Sequence, residues 1–115
     1  MAEEKNFENR VKKYLKDQGA WFVKYWGGAA FTKVGVPDIL ACVEGHFVGL
    51  ELKASKGKAT EIQLHTLKEI DKAGGIAILL YPQDFDSFKE MVSIMQEKGF
   101  TDAERIYEEL KGRWC

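Results

Sequence analysis

Long apolar runs are absent from the sequence. The longest, Ile76 to Tyr81, is far below the ~18 residues of a membrane-spanning helix, so we expect no transmembrane segment. The residues after Met1 contain no apolar stretch of the kind found in signal peptides, so we expect no signal peptide either. Only two cysteines occur, Cys42 and Cys115, and their positions match neither a disulfide framework nor a zinc site. We therefore expect a protein of the reducing cytoplasm.

Charge of one sign is not in excess either. The 115 residues carry a formal net charge of −1 at pH 7, which argues against a wholly basic nucleic-acid-binding protein with a pI above about 9. Residues 1–83 hold 12 Lys and Arg against 10 Asp and Glu, whereas residues 84–115 hold 5 against 8. The 45% of apolar and 30% of charged residues exclude a disordered or fibrous protein. The length predicts one domain over residues 1–115.

Apolar periodicity and breaker residues predict the element order α-β-β-β-α-β-α-α. Helices are predicted over about 4–18, 60–73, 85–97 and 102–111, and strands over about 21–26, 36–43, 46–53 and 76–81. Thr60 with Gln63, and Thr101 with Glu104, have the spacing of a capping box at the start of a helix. The helix before the last strand makes that strand parallel to a neighbour. We therefore expect an α/β fold with a four-stranded mixed sheet flanked by helices, followed by two C-terminal helices.

The second and third predicted strands form a hairpin that brings two carboxylates together. A two-residue turn at 44–45 pairs Val43 with His46 and therefore places Asp38 directly opposite Glu51. Directly opposite residues project from the same face of a sheet, with Cβ atoms about 4.5–5.5 Å apart. Two carboxylates in that position repel each other, so a buried pair needs a cation.

Two interpretations of this acidic pair remain open. Lys53 lies two residues beyond Glu51 and shares its face, so the three side chains can form a plain ion-pair trio. Alternatively, the pair is a metal site. Oxygen ligands suit a hard divalent cation, and Mg²⁺ usually takes one or two protein carboxylates together with a substrate phosphate.

The same residues carry a resemblance to a known group of nucleases. Gly35-Val36-Pro37-Asp38, followed after 12 residues by Glu51-Leu52-Lys53, resembles the PD-(D/E)XK signature. With Gln63 on the next helix, the sequence is most similar to the virus-type replication-repair nuclease domain (VRR-NUC), and more distantly to the archaeal Holliday junction resolvases. The resemblance covers about residues 5–82 and implies a restriction-endonuclease-like αβββαβ core, with the helices over about 84–111 outside it.

The resemblance implies a metal site with defined ligands. The implied ligands of Mg²⁺ are Asp38, Glu51 and the backbone carbonyl of Leu52, and Mn²⁺ is expected to substitute for Mg²⁺. Glu8 on the first helix would complete or support the site. The alternative for Glu8 is a surface ion pair with Lys12, four residues later on the same helix.

Other residues are implied to act on water or on DNA. Lys53 would orient or deprotonate the attacking water or hold a phosphate oxygen, and Gln63 would position Lys53 or the water. The alternative for Gln63 is the capping box with Thr60 alone. Candidate contacts to DNA phosphates are Lys24, Lys33, Lys56 and Lys58, whose alternative role is a solvated face.

The remaining aromatic and histidine residues give weaker indications. Tyr25, Trp26 and Phe31 either stack on bases at a branch or belong to the core. His46 and His65 share no ligand spacing, and we interpret both as structural.

The implied function is a metal-dependent, structure-selective DNA endonuclease that acts on Holliday junctions or other branched DNA and leaves 5′-phosphate and 3′-hydroxyl ends. The alternatives are a DNA-binding module of the same fold with little or no cleavage, and a structural assembly subunit. A homodimer would place two active sites on opposite strands of a junction. The apolar stripe Phe88, Val92 and Met95, with Ile94 beside it, packs either on the sheet or on a second subunit. Similarity to stand-alone viral domains makes a phage origin, and then the host cytoplasm, an expectation.

Overall fold

The computed structural model describes residues 2–27 and 33–115. Its strands are β1 (Trp21–Lys24), β2 (Ile39–Val43), β3 (His46–Leu52) and β4 (Ile76–Leu80), and its helices are α1 (Ala2–Asp17), α2 (Glu61–Lys72), α3 (Phe85–Lys98) and α4 (Phe100–Leu110). Short 3-10 turns at Pro82–Asp84 and Lys111–Arg113 precede α3 and follow α4. The strands form one sheet in the order β1-β2-β3-β4. The predicted α/β fold is confirmed, and it is consistent with a restriction-endonuclease-like core.

The predicted hairpin register is confirmed. Val43 pairs with His46 and Ile39 with Leu50, in an antiparallel ladder between β2 and β3. Glu44 and Gly45 have φ values of 49° and 80°, so both turn residues lie in the left-handed region that a tight two-residue hairpin turn requires.

The predicted start of the second strand at residue 36 is wrong, because β2 begins at Ile39. Pro37 has no N–H to donate to a ladder, and Gly35 turns the chain with a φ of 79°. Asp38 therefore lies in a bend, one step beyond the last paired residues.

The last strand runs parallel to its neighbour, as predicted. The β3–β4 ladder extends from Val48 paired with Ile76 to Leu52 paired with Leu80, and α2 makes the crossover between them. All five residues of β4 are buried, which agrees with a strand covered on both faces.

Helices cover the two faces of the sheet unequally. On one face, α1, α3 and α4 pack over the whole sheet in a single apolar cluster. On the other face, α2 and Trp114 cover Ala77 and Leu79 of β4. The outer half of that second face keeps large apolar side chains exposed, with Trp21 66%, Val23 40% and Phe47 45% accessible.

The apolar stripe of α3 packs inside the chain. Phe88, Val92 and Met95 are fully or almost fully buried, and Ile94 is partly buried against the same cluster. The Phe88 ring meets the Tyr14 ring of α1 edge-on at 6.2 Å. The stripe was expected to pack either on the sheet or on a second subunit. It packs inside the chain, so it is not available to a second subunit.

The predicted capping box at Thr101 and Glu104 is wrong. α4 begins at Phe100 after Gly99, and no side chain caps its N-terminus, so Thr101 is already inside the first turn. The Phe100 ring packs on His46 at 5.2 Å and on Tyr107 at 5.9 Å. Because of these contacts Phe100 is part of the helix, and α4 begins earlier in the sequence than the predicted residue 102.

The C-terminal segment protects the open edge of β4. The Tyr107 hydroxyl accepts a hydrogen bond from the Ala77 N–H at 3.0 Å, and Trp114 Nε1 donates to the Ala77 carbonyl at 2.9 Å. Tyr107 in turn donates to Asp71 Oδ1 at 2.7 Å. Side chains thus occupy the outward N–H and C=O of Ala77, which an added strand would otherwise pair with. Among the described residues, no helix is long and apolar enough to cross a membrane.

This edge contact predicts the effect of a conservative change at Trp114. Trp114→Phe keeps most of the apolar surface but leaves the buried Ala77 carbonyl without its donor. We expect the free energy of unfolding in urea to fall by about 1–3 kcal/mol. Trp26→Phe is the matched control: Trp26 is 72% exposed, and we expect a change within about 0.5 kcal/mol. Equal effects of the two substitutions would contradict the edge-protecting role.

Candidate active site

The candidate site lies at the end of the sheet where β1 and β3 finish and β2 begins. Asp38 joins these strands. Its Oδ2 accepts a hydrogen bond from the Leu52 N–H at 2.8 Å, and its backbone carbonyl accepts one from the Tyr25 N–H at 2.8 Å. The side chain of Asp38 is thereby fixed to β3 beside Glu51, one step beyond the Ile39–Leu50 pair.

Gly35 allows the chain to approach α2 closely before it reaches Asp38. A Cβ atom at Gly35 would lie 2.9 Å from Ile62 Cγ1 and 3.0 Å from the Ile62 carbonyl oxygen. Together with the φ of 79°, this contact excludes any residue with a side chain. The glycine of the Gly-Val-Pro-Asp motif is therefore explained by backbone geometry and close packing.

Glu51 is buried beside a second carboxylate. It is 3% exposed, and its nearest cation is Lys53, whose Nζ lies 3.8 Å from Oε2. Burial, together with the negative charge of Asp38 and a hydrogen bond to it, raises the pKa of Glu51 to about 9 against the lowering effect of Lys53. Without a metal ion, Glu51 therefore keeps its proton at neutral pH.

Glu8 has the opposite electrostatic environment. It is 7% exposed on α1, and Lys24, Lys12 and Lys5 lie at 2.7, 3.2 and 3.5 Å from its oxygens. Burial alone would raise its pKa, but hydrogen bonds from Lys24 and Lys12 outweigh burial and lower the pKa to about 2. The ion pair with Lys12 is present, although Glu8 is buried and not on the surface, and a role for Glu8 at a metal ion stays a prediction.

The donor set fits a hard divalent cation. Asp38 and Glu51 offer carboxylate oxygens side by side. The Leu52 carbonyl belongs to the backbone between Glu51 and Lys53. Mg²⁺ commonly takes one or two protein carboxylates and completes its shell with water and phosphate. Within residues 2–27 and 33–115, no three His, Cys, Asp or Glu side chains are arranged around a common point. In the described part of the chain, the acidic pair therefore has no third His, Cys, Asp or Glu side chain grouped with it to hold a metal ion.

Gln63 takes part in the predicted capping box. Its Oε1 accepts from the Thr60 N–H at 2.9 Å, and Thr60 Oγ1 accepts from the Gln63 N–H at 3.3 Å. In the described part of the chain, no hydrogen bond links the Gln63 side chain to Asp38, Glu51 or Lys53. A role for Gln63 in positioning Lys53 or water stays a prediction.

The four candidate phosphate contacts fall into two groups. Lys33, Lys56 and Lys58 are exposed, and none lies within salt-bridge distance of an acidic group among the described residues. Lys33 borders a surface cavity of about 240 Å³ that opens beside Asp38. Lys24 differs from these three, because it is only 19% exposed and contacts Glu8.

The aromatic and histidine candidates are placed as follows. Trp26 is 72% exposed, and the Tyr25 hydroxyl donates to the Lys33 carbonyl at 3.1 Å. Phe31 lies outside the described residues. His46 packs on Phe100, and the exposed His65 lies 3.7 Å from Glu69, so neither is near the acidic pair.

The contact between Lys24 and Glu8 could not be found from the sequence. The two residues are on different elements, α1 and β1, and no periodic spacing relates them. The only available signal was that Glu8 sits one position from the buried stripe of α1, where an inward carboxylate needs a cation.

The family comparison agrees with this geometry. The model of the archaeal Holliday junction resolvase (Hjc) family matches residues 2–78. The chain belongs to this family, which is part of the PD-(D/E)XK group of nucleases and acts on branched DNA. No curated protein and no solved structure matched the chain. The match ends within β4, so α3 and α4 lie outside it, and the VRR-NUC resemblance is not among the matches.

The two glutamates predict stability changes of opposite sign in metal-free protein. Because the pKa of Glu51 is raised to about 9, its contribution to stability is full below about pH 4.5 and is lost as the pH rises toward 9. Glu51→Gln cannot ionise, so we expect it to be more stable than the parent at pH 8 by more than about 1 kcal/mol, with little gain at pH 5.

Glu8→Gln should have the reverse effect. The pKa of Glu8 is lowered to about 2, so its contribution is present above about pH 4.5 and is lost only as the pH falls toward 2. We expect a loss of about 1–3 kcal/mol at both pH 5 and pH 8, since three lysines lose a charged partner. Urea unfolding in EDTA measures both variants. A similar loss for Glu51→Gln at pH 8 would instead indicate an ionised Glu51 in an ion-pair trio.

Proposed function

We propose that this chain is a Mg²⁺-dependent endonuclease that resolves Holliday junctions or related branched DNA in the cytoplasm and leaves 5′-phosphate and 3′-hydroxyl ends. Mn²⁺ is expected to replace Mg²⁺. Residues 1–115 act as one nuclease domain in this proposal, and the VRR-NUC likeness remains a similarity of motif. The observation that carries it is the buried Glu51 beside the half-buried Asp38, with Lys53 next to them, in a chain of the resolvase family.

The acidic pair would hold the metal ion. Asp38 is oriented by the Leu52 N–H, and Glu51 would bind the ion as a carboxylate after releasing its proton to solvent. The Leu52 carbonyl and Glu8 are the additional proposed ligands. When bound, a divalent cation polarises a phosphoryl oxygen and lowers the pKa of a bound water.

Lys53 acts on the phosphate. Its side chain is 15% exposed and its Nζ lies 3.8 Å from Glu51 Oε2, where it would contact a phosphate oxygen of bound DNA. Water loses a proton to solvent and attacks the phosphorus in line with the 3′ oxygen, the P–O3′ bond breaks, the 3′ oxygen takes a proton from solvent, and the phosphate remains on the 5′ side. Lys53 stabilises the negative charge that accumulates on the phosphoryl oxygens.

Exposed lysines supply the contacts to the DNA backbone. Lys33, Lys56 and Lys58 have no acidic partner among the described residues, so binding phosphate breaks no ion pair. Each such contact releases counterions from DNA, which makes binding weaker as the salt concentration rises.

Resolution of a four-way junction needs two cuts on opposed strands, and each chain has one acidic pair. We therefore propose that the chain works as a homodimer. The α3 stripe is covered, so the contact is assigned to the exposed apolar half of the sheet face at Trp21, Val23 and Phe47. The partner that covers this apolar surface is a second copy of the chain, which presents the same surface and brings the second active site that two cuts require.

Cleavage of labelled DNA tests this function. A four-way junction, a flap and a plain duplex are incubated with Mg²⁺ or with EDTA, using the parent, Lys53→Met and Lys98→Met. We expect metal-dependent, paired cuts in the junction and a loss of at least about 100-fold in rate for Lys53→Met, with junction binding retained. Lys98→Met, a charge removal at the exposed end of α3, should cut as the parent does.

Other outcomes separate the alternatives. Metal-enhanced binding of the junction without cutting would favour a DNA-binding module. Neither cutting nor binding would leave Asp38, Glu51 and Lys53 as an ion-pair cluster and would contradict the proposed function. Single cuts rather than paired ones would contradict the dimer.

A further inference from the structure

We propose that Lys24 occupies the cation position between Glu8 and Asp38 in the metal-free protein, and that a divalent cation enters only when Lys24 withdraws. This inference rests on the metal site of the proposed function. It adds an internal competitor, built into the chain, that controls loading of the site.

The geometry of Lys24 carries the proposal. Lys24 is the last residue of β1, and its Nζ lies 2.7 Å from Glu8 Oε1 and 3.7 Å from Asp38 Oδ1. Its side chain is 19% exposed, and both carboxylates lie within salt-bridge distance of its ammonium group. One ammonium thus bridges α1 and the bend before β2, where two of the candidate ligands meet.

The other lysines around the site do not bridge. Lys12 and Lys5 contact Glu8 through its second oxygen, Oε2, at 3.2 and 3.5 Å. Lys53 contacts Glu51. Within the described part of the chain, Lys24 is the one cation within 4 Å of both Glu8 and Asp38.

A bound divalent cation and this ammonium group compete for the same oxygens. Two cations a few ångströms apart in a partly buried site repel strongly, because the effective dielectric constant there is well below that of water. The lack of a three-carboxylate cluster among residues 2–27 and 33–115 agrees with this exchange. Lys24 donates a hydrogen bond to Glu8 Oε1 at 2.7 Å, so this oxygen is already engaged.

An exposed aromatic side chain, Trp26, lies beside the Lys24 ammonium group and offers it a contact away from the carboxylates. The Lys24 Nζ already lies over the Trp26 ring, 5.5 Å from the ring centre, and that ring is 72% exposed, so the aromatic face offers the ammonium group a second contact on the solvent side. A DNA phosphate arriving at that surface would attract it in the same direction. Phosphate binding and metal binding would then favour each other, because each removes Lys24 from Glu8.

Metal affinity in the absence of DNA tests the exchange. Lys24→Met keeps the length of the side chain and removes its charge. We expect it to bind Mn²⁺ at least about 5-fold more tightly than the parent by calorimetry, a change typical of coupled sites. Lys12→Met removes a charge from the same Glu8 without vacating the bridging position, and its affinity should change by less than about 3-fold.

The outcomes are distinguishable from failure of the nuclease itself. Mn²⁺ binding by both proteins with equal affinity, or weaker binding by Lys24→Met, would overturn the exchange and leave the metal site intact. No Mn²⁺ binding by either protein would overturn both proposals.

A second measurement needs no substitution at Lys24. In the parent protein, brief acetylation followed by mass spectrometry reports how accessible each amine is. Saturating Mg²⁺ should raise the labelling of Lys24 several-fold, because its carboxylate partners are taken, and should leave the exposed Lys98 unchanged. Unchanged labelling of Lys24 in a protein that binds Mg²⁺ would contradict the proposal.

Discussion

The rest of the site depends on the hydrogen bond from the Leu52 N–H to the carboxylate of Asp38, at 2.8 Å. This bond holds Asp38 against β3 at the level of Glu51, which is 3% exposed. It requires the hairpin register set at Glu44 and Gly45 and the close passage of Gly35 over α2. The fold therefore places a second carboxylate beside the buried Glu51, and the protonation of Glu51 and the ion pairs around Asp38 follow from that placement.

The metal-free chain balances this negative charge in two different ways. Glu51 keeps a proton, because burial and Asp38 raise its pKa to about 9. Glu8 stays ionised, because lysines hold it, and Lys24 extends to Asp38 as well. The proton on Glu51 and the ammonium group of Lys24 thus occupy positions where, in our proposal, a divalent cation would supply positive charge. In our proposal the fold assembles the site, and a divalent cation would bind there by displacing the proton of Glu51 and the ammonium group of Lys24.

Local and topological rules account for what the sequence could predict. The two-residue turn set the register that places Asp38 beside Glu51, and the helix before β4 required a parallel pair. The same rules failed where tertiary packing decides. Phe100 moved the start of α4, Gly35 and Pro37 delayed β2, and the contact of Lys24 with Glu8 joins elements that no sequence spacing relates. Contacts between side chains far apart in the sequence depend on how the helices and strands pack in three dimensions, and sequence spacing does not reveal that packing.

Paramagnetic broadening by Mn²⁺ tests the central claim most directly, because it locates the metal ion without requiring activity. In ¹⁵N-labelled protein, a small amount of Mn²⁺ should broaden first the backbone amide signals of Asp38, Glu51 and Leu52, and Asp38→Asn should abolish that pattern. Broadening centred on another acidic group, such as Asp71 with Glu108 near the C-terminal helices, would contradict the account. It would leave the acidic pair as a structural feature of the sheet.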